Sequence, residues 1–234
     1  MSTLTDEILK LIDKSTEEEQ RIILEYLRER VPLHSLEVEW GTTAESILTA
    51  IDRSNDLTQR GIRGILAEAI FDQKIIPPLE SAGWKQMTIA GDQSYDFMVG
   101  NGQFQIRIQV KLQRRERGEP KLFSRRARAD LKCPAGTVYV VEVQKTRSGK
   151  RKGESTRPYR FGDFDILAVN LHASTGDWDR FLYTVGDWLL PRKAEAELIE
   201  IFQPVPKDAD EYWTGDLACC IDWLLRSPKK RLYS

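Results

Sequence analysis

One stretch, Tyr95 to Gln113 (YDFMVGNGQFQIRIQVKLQ), constrains the fold more than any other. From Phe104 the chain alternates without a break. Phe104, Ile106, Ile108, Val110 and Leu112 take one side; Gln105, Arg107, Gln109, Lys111 and Gln113 take the other. Successive strand side chains point to opposite faces, so this is a strand with one apolar face. Upstream, Phe97-Met98-Val99 is a short apolar run, and Gly100-Asn101-Gly102 tolerates the positive φ of a hairpin connection. The pattern predicts two antiparallel strands, the first opening on the carboxylate Asp96. The polar face of the second projects Gln109 and Lys111 together beside that carboxylate.

Around this hairpin the chain reads as a mixed α/β protein, an α+β sheet flanked by helices, with a small helical part at residues 1–55 and a core at residues 56–234. Leu4, Ile8, Leu11 and Ile12 recur at helical spacing, as do Ile22, Ile23, Leu24 and Leu27 before Pro32. Capping boxes are expected at Ser15-Thr16-Glu17-Glu18 and Thr42-Thr43-Ala44-Glu45. This part could dimerise, touch DNA or cover a sheet face. Asp56 to Gln73 predicts a longer helix with Glu68 near the edge of its apolar stripe; Gly61 and Gly64 would permit close backbone approach. Pro77-Pro78 is expected to end the helical region, and a first strand to run near Met87 to Ile89. Further strands are expected at Thr137 to Val143, Phe164 to Leu171 and Phe181 to Val185. Helices are expected at Ala194 to Phe202 and Leu217 to Leu225, in an otherwise irregular C-terminal stretch. Trp178, Trp188 and Trp213 suit a core or a lid.

The net charge of −1 conceals a strong polarity. Residues 107–160 hold 17 Lys and Arg against 5 Asp and Glu, whereas the rest holds 18 basic and 31 acidic residues. A basic middle on an acidic frame points to a polyanion partner. The runs Arg114 to Lys132 and Lys145 to Arg160 are too polar for core and suit phosphate contacts, which need cations but little fixed geometry. The candidate DNA-binding residues are Arg107, Arg114, Arg115, Arg117, Arg125, Arg126, Arg128, Lys150, Arg151 and Lys152. Some of Arg125, Arg126, Arg128 and Lys150-Arg151-Lys152 are expected to read bases, above all guanines through bidentate arginines.

Phosphodiester hydrolysis needs a nucleophile near neutral pH and neutralisation of charge on the phosphate, and a divalent cation does both. Magnesium prefers oxygen ligands. Asp96 is the natural ligand, with the Gln109 side-chain oxygen and the Val110 backbone carbonyl beside it. Lys111 would hold the attacking water and stabilise the transition state.

Asp96, a spacer of about a dozen residues, and then Gln109-Val110-Lys111 resemble the PD-(D/E)xK nuclease signature, with Tyr95 where that superfamily often has Pro. The upstream Arg60-Gly61-Ile62-Arg63-Gly64 and Glu68 resemble the helix that supplies a further glutamate in many members. The resemblance spans roughly Leu57 to Val143. Gln109 departs from the pattern, which expects Glu or Asp; branches with Gln there often use the helix glutamate as a compensating ligand. The resemblance implies a restriction-endonuclease-like core. It implies Asp96, Gln109, Lys111 and Glu68 as catalytic residues, and Asp96, Gln109, Val110 and Glu68 as holders of Mg²⁺, with Mn²⁺ substituting. Layout and size resemble a type II restriction enzyme: a homodimer cutting double-stranded DNA at a short palindrome and leaving 5′-phosphates. A repair or junction-resolving nuclease, or a non-catalytic DNA-binding protein with a degenerate core, are the alternatives.

Other chemistries find little material. With only His34 and His172, histidine-based nucleases, serine triads and zinc hydrolases lack their ligands. No phosphate-binding glycine loop is present, so no nucleotide cofactor is expected. A rival acidic and basic set exists at Glu142, Gln144 and Lys145, or at Asp163 and Asp165. The three cysteines are badly spaced for a metal site, no apolar run reaches the roughly 18–20 residues of a membrane helix, and no secretory signal is visible. A reducing cytoplasm, that of a prokaryote, is the expected setting.

Overall fold

The protein is described from a computed structural model covering residues 3–28, 30–32, 34–124, 126, 129, 131–133, 136–145, 150–151, 154–155, 157–226 and 229–233. It divides into two compact units, Met1–Arg60 and Gly61–Ser234.

The first unit is helical: α1 (Leu4–Lys14), α2 (Glu17–Arg28), α3 (Ser35–Trp40) and α4 (Ala44–Asp52). Each start is fixed locally. The Thr3 hydroxyl accepts from Asp6 N–H while Asp6 accepts from Thr3 N–H. Thr16 and Glu19 make the same reciprocal box one residue later than expected, since the acid must sit at the third helical position. Thr43 caps α4 by accepting from Ser46 N–H, 3.2 Å. A further helix, α5 (Asp56–Ile70), runs across the boundary between the units.

The second unit is a mixed α+β layer structure. Strands β1 (Lys85–Gln86), β2 (Phe97–Gly100), β3 (Gln105–Leu112), β9 (Ile166–Asn170) and β10 (Phe181–Val185) form a five-stranded sheet in the order β1-β2-β3-β9-β10. Only β3 and β9 run parallel; the other neighbours are antiparallel. Between them lie β4 (Arg115–Glu116) with β5 (Glu119–Pro120), β6 (Val138–Glu142), and β7 (Lys150–Arg151) with β8 (Glu154–Ser155). Strand β6 pairs with β11 (Phe202–Pro206) in a separate ladder.

Alternation explains the two core layers. Ile106, Ile108 and Val110 of β3, Ile166 and Ala168 of β9, and Phe181 and Tyr183 of β10 face one side. There they meet Ala67 of α5, Phe71, Ile76 and Leu79 of the following segment, and α7 (Leu217–Arg226). Phe71 is fully buried, its ring 4.9 Å from Phe97 and 5.6 Å from Phe181. Leu167, Val169 and Leu182 face the other side, with Val141, Val143, Val205, Trp213 and Tyr233. Strand β9 is covered on both faces and so is apolar from Ile166 to Val169, with the buried Asn170 at its end.

Several expectations are corrected. The helical path does not stop at Pro77-Pro78: a π-helical turn, Phe71–Ile75, passes into α6 (Ile76–Ser81) with proline in its first turn. First-turn N–H groups have no intrahelical acceptor, so proline forfeits nothing there. Gly61 and Gly64 make no close approach; a Cβ on either would meet no atom within 4 Å. The first strand is Lys85–Gln86, with Met87 N–H continuing to Met98 O. Ala194 to Phe202 is not a helix: Leu198 bridges Arg160, Ile199 bridges Pro191, and Phe202 begins β11. Its two prolines are tolerated because β6 is the only strand that β11 pairs with among the described residues. Trp213 is fully buried, Trp188 is buried and Trp178 half-buried in the core. No helix among the described residues is long and apolar enough to cross a membrane.

Candidate active site

The hairpin carries the site. Asn101 accepts from Gln103 and Phe104 N–H, and Gly102 takes φ +86°, closing the turn from β2 to β3. At the other end of β2 the ladder continues through Asp96 N–H to Ile108 O, 3.0 Å. The Asp96 carboxylate then replaces the next backbone acceptor. Its Oδ2 takes the Val110 N–H at 2.8 Å and a short bond from Gln109 Nε2. Gln109 Nε2 also reaches Val110 O, 3.1 Å, so Asp96, Gln109 and Val110 converge as their spacing predicted.

Gln109 is 1% exposed, and every polar atom of its side chain has a partner. Oε1 accepts from the Tyr159 hydroxyl, 3.0 Å. Tyr159 was not foreseen from the sequence. It lies fifty positions downstream, is only 3% exposed, and carries Lys111 Nζ 5.5 Å and Lys145 Nζ 5.3 Å from its ring centroid. No sequence signal marks it, because it reaches the site only where Gln144 bridges Pro158 across the sheet edge.

Glu68 joins from α5. Burial pushes its carboxyl up to about 7, the nearby Asp96 charge pushes the same way, and Lys111 opposes them. Burial likewise raises Asp96, against Lys111 and the Val110 N–H bond. Lys111 is pushed down by burial and drawn back by Asp96, Glu68 and Glu142. Two partly desolvated carboxylates therefore face one lysine, an arrangement that a cation would relieve. Among the described residues no three His, Cys, Asp or Glu side chains cluster as metal ligands. The oxygen donors available are two carboxylates, an amide and a backbone carbonyl, all hard ligands of the kind magnesium accepts.

The rival set is not a separate site. Glu142 is held by Arg114 and Gln144, and its charge acts on Lys111. Lys145 pairs with Asp163 at 3.3 Å and stands on the same tyrosine ring as Lys111. Asp165 is closed off by a fork from Arg107: Nε to Oδ2 2.9 Å, Nη2 to Oδ1 2.7 Å.

These pairings also show what holds two of the candidate DNA-contact residues. Arg107 is engaged by Asp165 and Gly162 O, and Arg114 by Glu142; both tie the sheet to its flanking segments. Arg115 is half-buried on β4. Arg117 is exposed at the β4–β5 turn, where its φ of 53° and the 85° of Gly118 make the two-residue connection that matches strand twist. Arg126 is exposed. Lys150 and Arg151 lie on β7, paired with Ser155 and Glu154. Arg125, Arg128 and Lys152 lie outside the described residues.

No protein-family profile matches this sequence, and no curated protein matches it. A solved structure described as that of a bacterial homing endonuclease, I-Ssp6803I, is similar over 64% of this chain and 79% of its own, at 20% identity and a TM-score of 0.35.

Proposed function

We propose that the protein is a magnesium-dependent endonuclease of double-stranded DNA, with a PD-(D/E)xK-type site made of Glu68, Asp96, Gln109 and Lys111. The observation that carries this reading is the junction at Asp96, where Gln109, Val110 and Lys111 meet the carboxylate of one strand and the glutamate of a facing helix. Asp96, Glu68, the Gln109 oxygen and the Val110 carbonyl would hold the ion. Bound there, magnesium would lower the pKa of a water and act as a Lewis acid. Lys111 holds the attacking water and donates to the phosphate oxygens as charge develops.

Gln109 presents nitrogen toward Asp96 and oxygen toward Tyr159. Lending oxygen to a cation requires the amide to turn over. The Tyr159 hydroxyl serves either orientation, since it donates as well as accepts. Without that turn the amide nitrogen stays bonded to Asp96 Oδ2 and offers no oxygen to an ion. This supports the second reading, a DNA-binding protein with a degenerate nuclease core.

Within the first reading we assign a restriction-type activity: a homodimer cutting a short palindrome and leaving 5′-phosphates, in a prokaryotic cytoplasm, with Mn²⁺ able to replace Mg²⁺. Digestion of DNA of known sequence with Mg²⁺, followed by sequencing of the fragment ends, tests it. Discrete ends at a repeated site are expected. Binding without cleavage in Mg²⁺ or Mn²⁺ leaves the degenerate reading standing, and cutting confined to branched substrates replaces restriction by junction resolution.

A further inference from the structure

We propose, resting on the nuclease reading above, that Lys145 grips a backbone phosphate of the bound DNA beside the reacting centre. Its backbone is fixed by a seam with residues 157 and 158, next to Tyr159. Lys145 N–H donates to Arg157 O at 2.8 Å, and the preceding Gln144 bridges Pro158. That seam brings Tyr159 under both ammonium groups, with Lys111 Nζ 5.5 Å and Lys145 Nζ 5.3 Å from one ring centroid. The same tyrosine holds Gln109 through its hydroxyl. Lys145 is thus tied to the reacting cluster by a single buried ring.

Its present partner is easily exchanged. Lys145 and Asp163 lie 3.3 Å apart, and their side chains are 33% and 24% exposed. A single ion-pair contact of this kind is exchanged more readily than the three bonds that hold Arg107. Asp163 keeps a second bond, from Arg160 N–H at 3.1 Å, when the ammonium leaves. Arg107 offers the contrast: its two-pronged fork on Asp165 and its bond to Gly162 O engage all three of its guanidinium nitrogens within the protein. Lysine suits the role because an ammonium meets phosphate as a point charge and needs no fixed plane. Lys150 and Arg151, a few residues further along the chain, lie on β7, which pairs with β8.

Each phosphate contact contributes a slope of about −0.9 to the dependence of log affinity on log salt. Binding of a short mixed-sequence duplex is therefore measured across a salt series in EDTA, for the wild type, Lys145→Met and Lys145→Arg. The expected result for Lys145→Met is an affinity a few-fold weaker, with a slope shallower by about one contact, and for Lys145→Arg a slope restored. Asp163→Asn, which frees the ammonium without touching it, should bind the duplex at least as tightly as the wild type. An unchanged slope in Lys145→Met, or weaker binding by Asp163→Asn, overturns the inference alone. A wild-type protein that binds no duplex at all overturns the nuclease reading with it.

Discussion

The two compact units of this chain are written in similarly patterned sequence, yet they bury very different amounts of it. Helices α1 to α4 have amphipathic spacing and well-formed caps, but none contains a buried residue, and Leu11, Ile22, Val38 and Trp40 are all more than half exposed. The sheet unit fills both faces of its central strands, from Phe71 and Ile108 on one side to Leu167 and Trp213 on the other. Periodicity and capping fix a helix. Burial needs a partner surface, and in the sheet unit segments distant in sequence supply it. The stability of the chain should therefore reside in the sheet unit.

The largest expected effect tests that directly. Phe71→Ala removes a fully buried ring that packs against Phe97, Phe181 and Tyr183. Unfolding in urea should show a loss of about 3–5 kcal/mol. A loss below about 1 kcal/mol would mean that the face between α5 and the sheet is loosely packed, and the contrast between units would fall.

Lys111→Ala comes next, because it asks whether the chemistry belongs to the sheet unit as the core does. Removing the ammonium should slow cleavage of plasmid DNA in Mg²⁺ by about 10²–10³-fold, with duplex binding retained. Equal cutting by the two proteins would take the site away from β3.

The same contrast explains what the sequence disclosed. The hairpin was legible because period-two alternation and a Gly-Asn-Gly turn are local signals, and the convergence of Asp96, Gln109 and Val110 follows from them. The helical continuation past Pro77-Pro78 was not, because proline stops a helix interior but fits its first turn. Nor was the strand at Phe202–Pro206, whose prolines and helix-favouring neighbours are overridden by pairing with Val138–Glu142. Tyr159 and the engagement of Arg107 by Asp165 arise from contacts between residues fifty or more positions apart, and no local pattern encodes them. Arginine density therefore marks a basic segment without showing which of its arginines are paired with carboxylates of the protein.

Glu68→Gln sharpens where the boundary falls along α5, since this residue sits on the part of the helix that belongs to the sheet unit. In the folded protein its carboxyl lies at about 7, above the ordinary 4.5. The folded state therefore holds the proton more tightly than the unfolded chain. That contribution is fully present below about pH 4.5 and is lost as pH rises through about 7. Free of metal at pH 8, Glu68→Gln should be more stable than the wild type by on the order of 1 kcal/mol, allowing for solvent screening of a partly exposed group. Well below pH 4.5 the two should melt alike. In the wild type the stabilisation by Mg²⁺ should grow as pH rises through about 7, because the ion competes with that proton. Denaturation curves with and without Mg²⁺ at the two pH values check both statements; identical curves throughout would place Glu68 away from Asp96.

Ile22→Ser is the smallest change and the sharpest on the helical unit. Ile22 lies on α2 and is 55% exposed. Serine has nearly the same helix propensity as isoleucine, so only the loss of a partly covered side chain remains, and the cost should be a few tenths of a kcal/mol. The variant is melted over a range of protein concentrations. A small, concentration-independent change keeps the helical unit as a lightly packed appendage. A loss above about 2 kcal/mol at high protein concentration that shrinks as the protein is diluted would show that this apolar stripe is buried between copies of the chain. The difference between the units would then lie in where each finds its partner surface: the sheet unit within its own chain, the helices in another.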